Sequence, residues 1–97
     1  MTQQRLDFTQ ASPDAVKAMY ALEAAIAKLG VEHSLLELIR LRASQINGCA
    51  FCVDMHTSDA RKAGETERRL YAVSVRRETP FFTPRERAVL AWTEALT

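Results

Sequence analysis

Asn47-Gly48-Cys49-Ala50-Phe51-Cys52-Val53-Asp54-Met55-His56 holds both a helix boundary and the most reactive side chains of the sequence. Asn47-Gly48 stops one helix, because glycine enters the left-handed backbone region at no steric cost. A new helix then starts around Gly48–Cys49 and runs to Ala63, with Gly64 as its own stop. Residues three and four apart share one face of a helix. Cys49 to Cys52 is a step of three and Cys52 to His56 a step of four. All three side chains therefore line one stripe, with Cys52 between its two potential partners.

The same helical punctuation continues in both directions. Upstream, a helix opens at Ser34, packs Leu35, Leu36, Leu38, Ile39 and Leu41, and ends at Asn47-Gly48. Before it, Ser12-Pro13-Asp14 offers a cap, a proline at the first helical position and an acid in the first turn. Val16, Met19, Tyr20, Leu22, Ile26 and Leu29 recur at helical spacing up to Gly30. Downstream, Thr66 caps a helix carrying Leu70, Tyr71, Val73 and Val75. Thr83-Pro84-Arg85-Glu86 reads as a capping box ahead of Ala88, Val89, Leu90 and Trp92. Strand-like alternation is confined to Tyr71–Val75. The reading is all-α, about five helices, in a single domain over residues 1–97.

Composition excludes several function classes. The chain has 97 residues, and its 13 basic and 12 acidic side chains leave a net charge of +1. Residues 1–48 hold five of each sign, and residues 49–97 hold eight basic and seven acidic. Neither half carries the one-signed field of a nucleic-acid or membrane-surface binder. No apolar run approaches the roughly 20 residues that span a bilayer, and the N-terminus lacks the basic and apolar regions of a signal peptide. The expected setting is cytoplasmic, where two close cysteines are more often catalytic or metal-binding than a permanent staple. An apolar content of 47% is generous for so short a chain and points to a partner subunit. The paired cations Arg61-Lys62, Arg68-Arg69 and Arg76-Arg77 alternate with acids and read as solvated helix faces.

Thiol chemistry needs the thiolate, of which a free cysteine supplies little at neutral pH. Two devices raise that fraction here. Unpaired N–H groups in the first helical turn put partial positive charge beside both sulfurs. His56 can take the Cys52 proton and pair with the anion. Cys52 is thus the better-activated nucleophile and Cys49 the natural resolving thiol. Two thiols at this spacing can close a disulfide that an external thiol reopens. A carboxylate would complete the relay by orienting the imidazole. Glu37 is the candidate, if the helices fold back on each other around Asn47-Gly48. Its setting among Leu35, Leu38 and Ile39 is apolar, where a carboxylate requires a partner.

Other readings of the same residues stand beside this one. Ser34-Leu35-Leu36-Glu37 is itself a capping box, in which Glu37 would satisfy the backbone of Ser34. Cys49, Cys52 and His56 supply three zinc ligands, with His33, Glu37 or Asp54 as a fourth, in a zinc-stabilised helical interaction module. Structural zinc sites usually draw on a second ligand cluster, and the chain has none. His33 stands at a helix entrance and reads as solvated. Trp92, Phe81 and Phe82 read as core or subunit interface.

Glu37, eleven residues, Cys49-x-x-Cys52, three residues and His56 resembles the core motif of the AhpD-like alkylhydroperoxidases, within the carboxymuconolactone decarboxylase superfamily. Leu36 through Cys49 and Met55-His56 are also similar to the small members. The resemblance covers about residues 6–97. It implies an all-helical fold, usually assembled as homotrimers or hexamers, and family members continue for about another helical pair. It implies a thiol-dependent peroxidase acting on hydrogen peroxide or organic hydroperoxides through a Cys49–Cys52 disulfide. Cys52 would be peroxidatic, Cys49 resolving, His56 the proton acceptor and Glu37 the acid that starts the relay. An external dithiol or thiol-bearing protein would restore the thiols, and neither a cofactor nor a bound metal is called for. Ala50-Phe51 departs from better-known peroxidases, which carry a histidine inside the CxxC, so substrate choice or efficiency differs. A general disulfide reductase or redox-sensing module is the related alternative. Decarboxylases of the superfamily generally lack the cysteine pair.

Overall fold

The computed structural model describes residues 5–97, of which none forms a strand. The chain divides into two compact units, one up to Val31 and one from Glu32 to Thr97.

The first unit holds α1 (Phe8–Ala11) and α2 (Pro13–Ala27). Asp7 caps α1 by accepting the Thr9 N–H at 3.0 Å. The Thr9 hydroxyl donates to the same oxygen, and these bonds hold the Asp7 carboxyl below the usual carboxylate range. Pro13 opens α2 as expected, but the Ser12 side chain makes no capping bond. The helix ends at Ala27, and Gly30 follows with a positive φ of 86°.

The second unit contains α3 (His33–Asn47), α4 (Ala50–Lys62), α5 (Glu67–Ala72), a 3₁₀ segment over Val73–Glu78, and α6 (Pro84–Leu96). α3 packs against α4, α6 and the 3₁₀ segment. The core comprises Leu38, Leu41, Ala60, Leu70, Ala72, Val73, Phe82 and Leu90, with Val53 and Phe81 packed on it. Leu38, Leu41, Leu90 and Val73 are fully buried. Each contributes about 1.5–3 kcal/mol relative to an exposed side chain. The five expected helices are all present. The sixth, α1, is one short turn that carries no apolar period to reveal it. The alternating Tyr71–Val75 stretch is helical, divided between α5 and the 3₁₀ segment.

Gly48 sets the geometry of the α3–α4 turn. Its φ of 69° is left-handed, and the Gly48 and Cys49 N–H groups return to the carbonyls of Gln45 and Ser44. This double bond pattern closes the helix end within two residues. α4 ends in the same way: Gly64 donates to Arg61 and Glu65 to Ala60. At α6 the Thr83–Glu86 capping box forms in both directions, as its sequence predicts.

Arg61, Lys62, Arg68 and Arg77 are exposed as the sequence predicts, but Arg69 and Arg76 are drawn into the fold. Arg76 is only 5% exposed, and its guanidinium donates to Glu94 at 2.7 Å and 3.3 Å. Arg42 donates to the same carboxylate at 2.9 Å. The Arg76 hydrogen bond, aided by Arg42 and opposed by partial burial, holds the Glu94 carboxyl below its usual range. Arg69 bridges Glu65, Glu86 and the Phe81 carbonyl and lies over the Phe82 ring. Burial raises the Glu86 carboxyl, but bonds from Arg69 and Thr83 outweigh it and hold the group below its usual range. These arginines tie α5 and the 3₁₀ segment to α6. The α6 acids that Arg69 and Arg76 bind lie 17 and 18 residues away, beyond the reach of a local charge pattern.

Candidate active site

Cys49 serves both helices that meet at the turn. Its N–H completes the end of α3 by donating to Ser44, and its carbonyl accepts from Val53 in the first turn of α4. As the N-cap residue of α4, it places its sulfur where a serine or aspartate oxygen would normally sit. Sγ accepts the Cys52 N–H at 3.2 Å. Cys49 and Cys52 are joined as a disulfide across a Cα–Cα distance of 5.3 Å. Both residues are partly exposed, so an external thiol can reach the bond. Phe51, between them in sequence, is 55% exposed, and Met55 on the same face of α4 is 38% exposed.

Glu37 lies eleven residues before the Gly48 turn and His56 eight after it. At 1.5 Å per residue these are roughly 16 Å and 12 Å along two helices that fold back on each other. The two side chains meet: Glu37 Oε2 is 3.3 Å from His56 Nδ1. Glu37 is 4% exposed. Its other oxygen accepts from Arg40 at 3.1 Å and lies 3.6 Å from His33 Nε2. The capping-box alternative is not what forms. α3 begins at His33, with Glu32 in the N-cap position, so Ser34 already lies inside the helix and Glu37 is turned toward α4.

With Nδ1 facing the carboxylate, Nε2 is the imidazole nitrogen left to exchange protons elsewhere. A carboxylate partner fixes the tautomer in which Nδ1 carries the hydrogen. Cys52 and His56 remain one helical turn apart on α4. The α3–α4 hairpin thus carries a buried acid, an imidazole facing it, and a cysteine pair at a helix start. Such an arrangement can move protons to and from a reacting thiol.

Asp59 was not singled out from the sequence. Its carboxylate, His56 and Glu37 bring one ligand atom each to within 4.8 Å of one another. The available signal was its spacing, since Asp59 follows His56 by three on the same helix. His33, read as solvated, is indeed exposed at 64% of its side chain, yet it flanks Glu37. Asp54 joins none of these contacts. A pocket of about 140 Å³ opens beside Glu37, lined by Ser34, Ala60, Ala63, Gly64 and Glu65.

A helical hairpin with a CxxC at its turn and a buried Glu–His pair between its arms defines an AhpD-like protein. Residues 13–95 match the carboxymuconolactone decarboxylase family, and the chain belongs to that family. It is 44% identical over 94 residues to the uncharacterized protein YdfG of Bacillus subtilis. That match covers 97% of this chain and 64% of YdfG. The chain also matches, with a TM-score of 0.91 and 48% identity, the crystal structure of an Agrobacterium tumefaciens protein of unknown function. A role as the antioxidant defence protein AhpD has been suggested for that protein. The match covers 97% of this chain and 64% of that one, so the chain spans just under two thirds of either relative. No helix among the described residues is long and apolar enough to cross a membrane.

Proposed function

We propose that the protein reduces peroxides with Cys49 and Cys52, using His56 and Glu37 as the proton relay. The observation that carries this reading is the Glu37–His56 contact at 3.3 Å, built between the two helices that also position the cysteine pair. A buried carboxylate turned to an imidazole, one helical turn from a cysteine, is an arrangement for proton transfer.

The cycle runs as follows. His56 takes the Cys52 proton, and the thiolate attacks the outer oxygen of the hydroperoxide. The O–O bond breaks, oxygen transfers to sulfur, and the departing alkoxide or hydroxide collects a proton from the imidazolium. Cys52 is then a sulfenic acid. The Cys49 sulfur attacks it, the S–O bond breaks, water leaves and the disulfide forms. The Cys52 N–H directed at Cys49 Sγ favours negative charge on the resolving sulfur. A small dithiol or thiol-bearing protein, oxidised in two exchange steps, returns both thiols. Such recycling fits a reducing compartment such as the cytoplasm.

The proposal extends to a homo-oligomer. Trp92 and Leu96 on α6 are 68% and 70% exposed and line an apolar groove with Ile39, Ala43 and Val89. Apolar surface of this kind suits a subunit interface.

The test is intact mass and free-thiol count on reduced protein, before and after one equivalent of hydrogen peroxide. Loss of about 2 Da with both thiols gone supports the cycle. Two thiols that survive the treatment speak against it. Comparing peroxide with a protein disulfide as oxidant, at equal dithiol, separates a peroxidase from a general disulfide reductase.

A further inference from the structure

We infer that the Glu37–His56 crossing is also a binding site for a borderline divalent cation, zinc foremost, built from His33, Glu37, His56 and Asp59. It is a different zinc site from one that would use the cysteines, which are bonded to each other here. It does not depend on the peroxidase reading.

The ligands come in two helical pairs. His33 and Glu37 are four apart on α3, and His56 and Asp59 are three apart on α4, so each pair faces along one helix side. Packing of α3 on α4 brings the pairs together, as in bundle proteins whose metal ligands project from facing helices. Glu37, His56 and Asp59 already bring one ligand atom each to within 4.8 Å of one another. Around a tetrahedral ion with bonds of about 2.0–2.2 Å, ligand atoms stand roughly 3.3–3.6 Å apart. Asp59 is exposed, so a side-chain rotation rather than a backbone shift can bring it the remaining distance. His33, outside that cluster, stands 3.6 Å from the other Glu37 oxygen, and rotation of its exposed side chain would supply the second imidazole.

The donor chemistry selects the ion. Two imidazoles and two carboxylates suit zinc and its first-row neighbours, whereas calcium and magnesium prefer all-oxygen shells. The two carboxylates neutralise a dication. Arg40 donates to Glu37 Oε1 and leaves Oε2, the oxygen turned to His56, as the ligand atom. An ion there would occupy His56 Nδ1 and break its contact with Glu37.

Calorimetric titration of Zn²⁺ into tag-free oxidised protein tests the site, since the disulfide removes both thiols as ligands. One ion per chain with micromolar affinity is expected. Asp59→Asn and His33→Ala, both exposed positions, should each weaken binding at least tenfold with the helical circular-dichroism spectrum unchanged. A Cys49→Ser/Cys52→Ser double variant should bind as the wild type does. The assignment is overturned by no binding at millimolar zinc, by unchanged affinity in both single variants, or by loss of binding in the cysteine-free protein.

Discussion

Glu37 Oε2 and His56 Nδ1 meet at 3.3 Å across the α3–α4 crossing, 19 residues apart in sequence. A carboxylate that is 4% exposed carries a desolvation cost that only good partners offset. His56 and Arg40 supply them. The contact depends on Gly48, which reverses the chain, and on the burial of Leu38, Leu41 and Ala60, which holds the helices together.

Glu37→Gln keeps the size of the side chain and removes its charge. Dithiol-dependent peroxide consumption should fall by about 100-fold, the lower range for loss of a positioned proton-transfer group. Disulfide formation by a strong chemical oxidant should persist. Steady-state assay beside diamide titration checks both. Wild-type turnover in this variant would remove Glu37 from the relay.

Gly48→Ala should destabilise the protein by roughly 1–2 kcal/mol, because a Cβ is disfavoured in the left-handed region. Nothing lies within 4 Å of that Cβ, so the cost is conformational rather than steric. Gly48→Asn should be milder, since asparagine visits that region more readily. Urea unfolding midpoints of the two variants order them.

Removing Glu94 should cost more than removing a surface charge. Glu94→Ala leaves Arg76, whose side chain is 7% exposed, without its counter-ion. Breaking a buried pair from one side costs about 3–5 kcal/mol. Arg77→Ala, at a side chain 75% exposed and 3.7 Å from Glu94, should change stability by less than about 1 kcal/mol. Thermal or urea denaturation distinguishes the two.

Acid should weaken the fold through Glu86 and Glu94. Both carboxyls titrate lower in the folded chain than their ordinary value of 4.5. Their contribution is therefore fully present above that value and is lost as pH falls through the lowered folded values. Urea midpoints should be flat in this respect from pH 7 to 5 and drop below about 4.5. Glu94→Gln should shrink the acid-dependent part.

Features written in neighbouring residues were legible in the sequence. The Thr83–Glu86 box, the Gly48 and Gly64 stops and the Cys49–Cys52–His56 stripe each depend on steps of four or fewer. Ser34–Glu37 has the form of a cap, yet the N-cap of α3 is Glu32, two residues earlier, and packing turns Glu37 inward. That outcome depends on α4, which a local motif does not contain. Arg76 and Arg69 failed for the same reason, because Glu94 and Glu86, the acids that draw them inward, belong to α6. Asp59 lay in plain spacing after His56 but acquires meaning only beside Glu37. The spacing from Glu37 to His56 allowed their meeting, since both lie at comparable distances from one turn, but only the family resemblance favoured it over the cap.

The most direct measurement is multiple-turnover peroxide consumption with excess dithiol by wild type, Cys52→Ser and Cys49→Ser. Wild type should turn over continuously, Cys52→Ser not at all, and Cys49→Ser should stop after one oxidation per chain. Peroxide consumption by Cys52→Ser at the wild-type rate would contradict the assignment of the site.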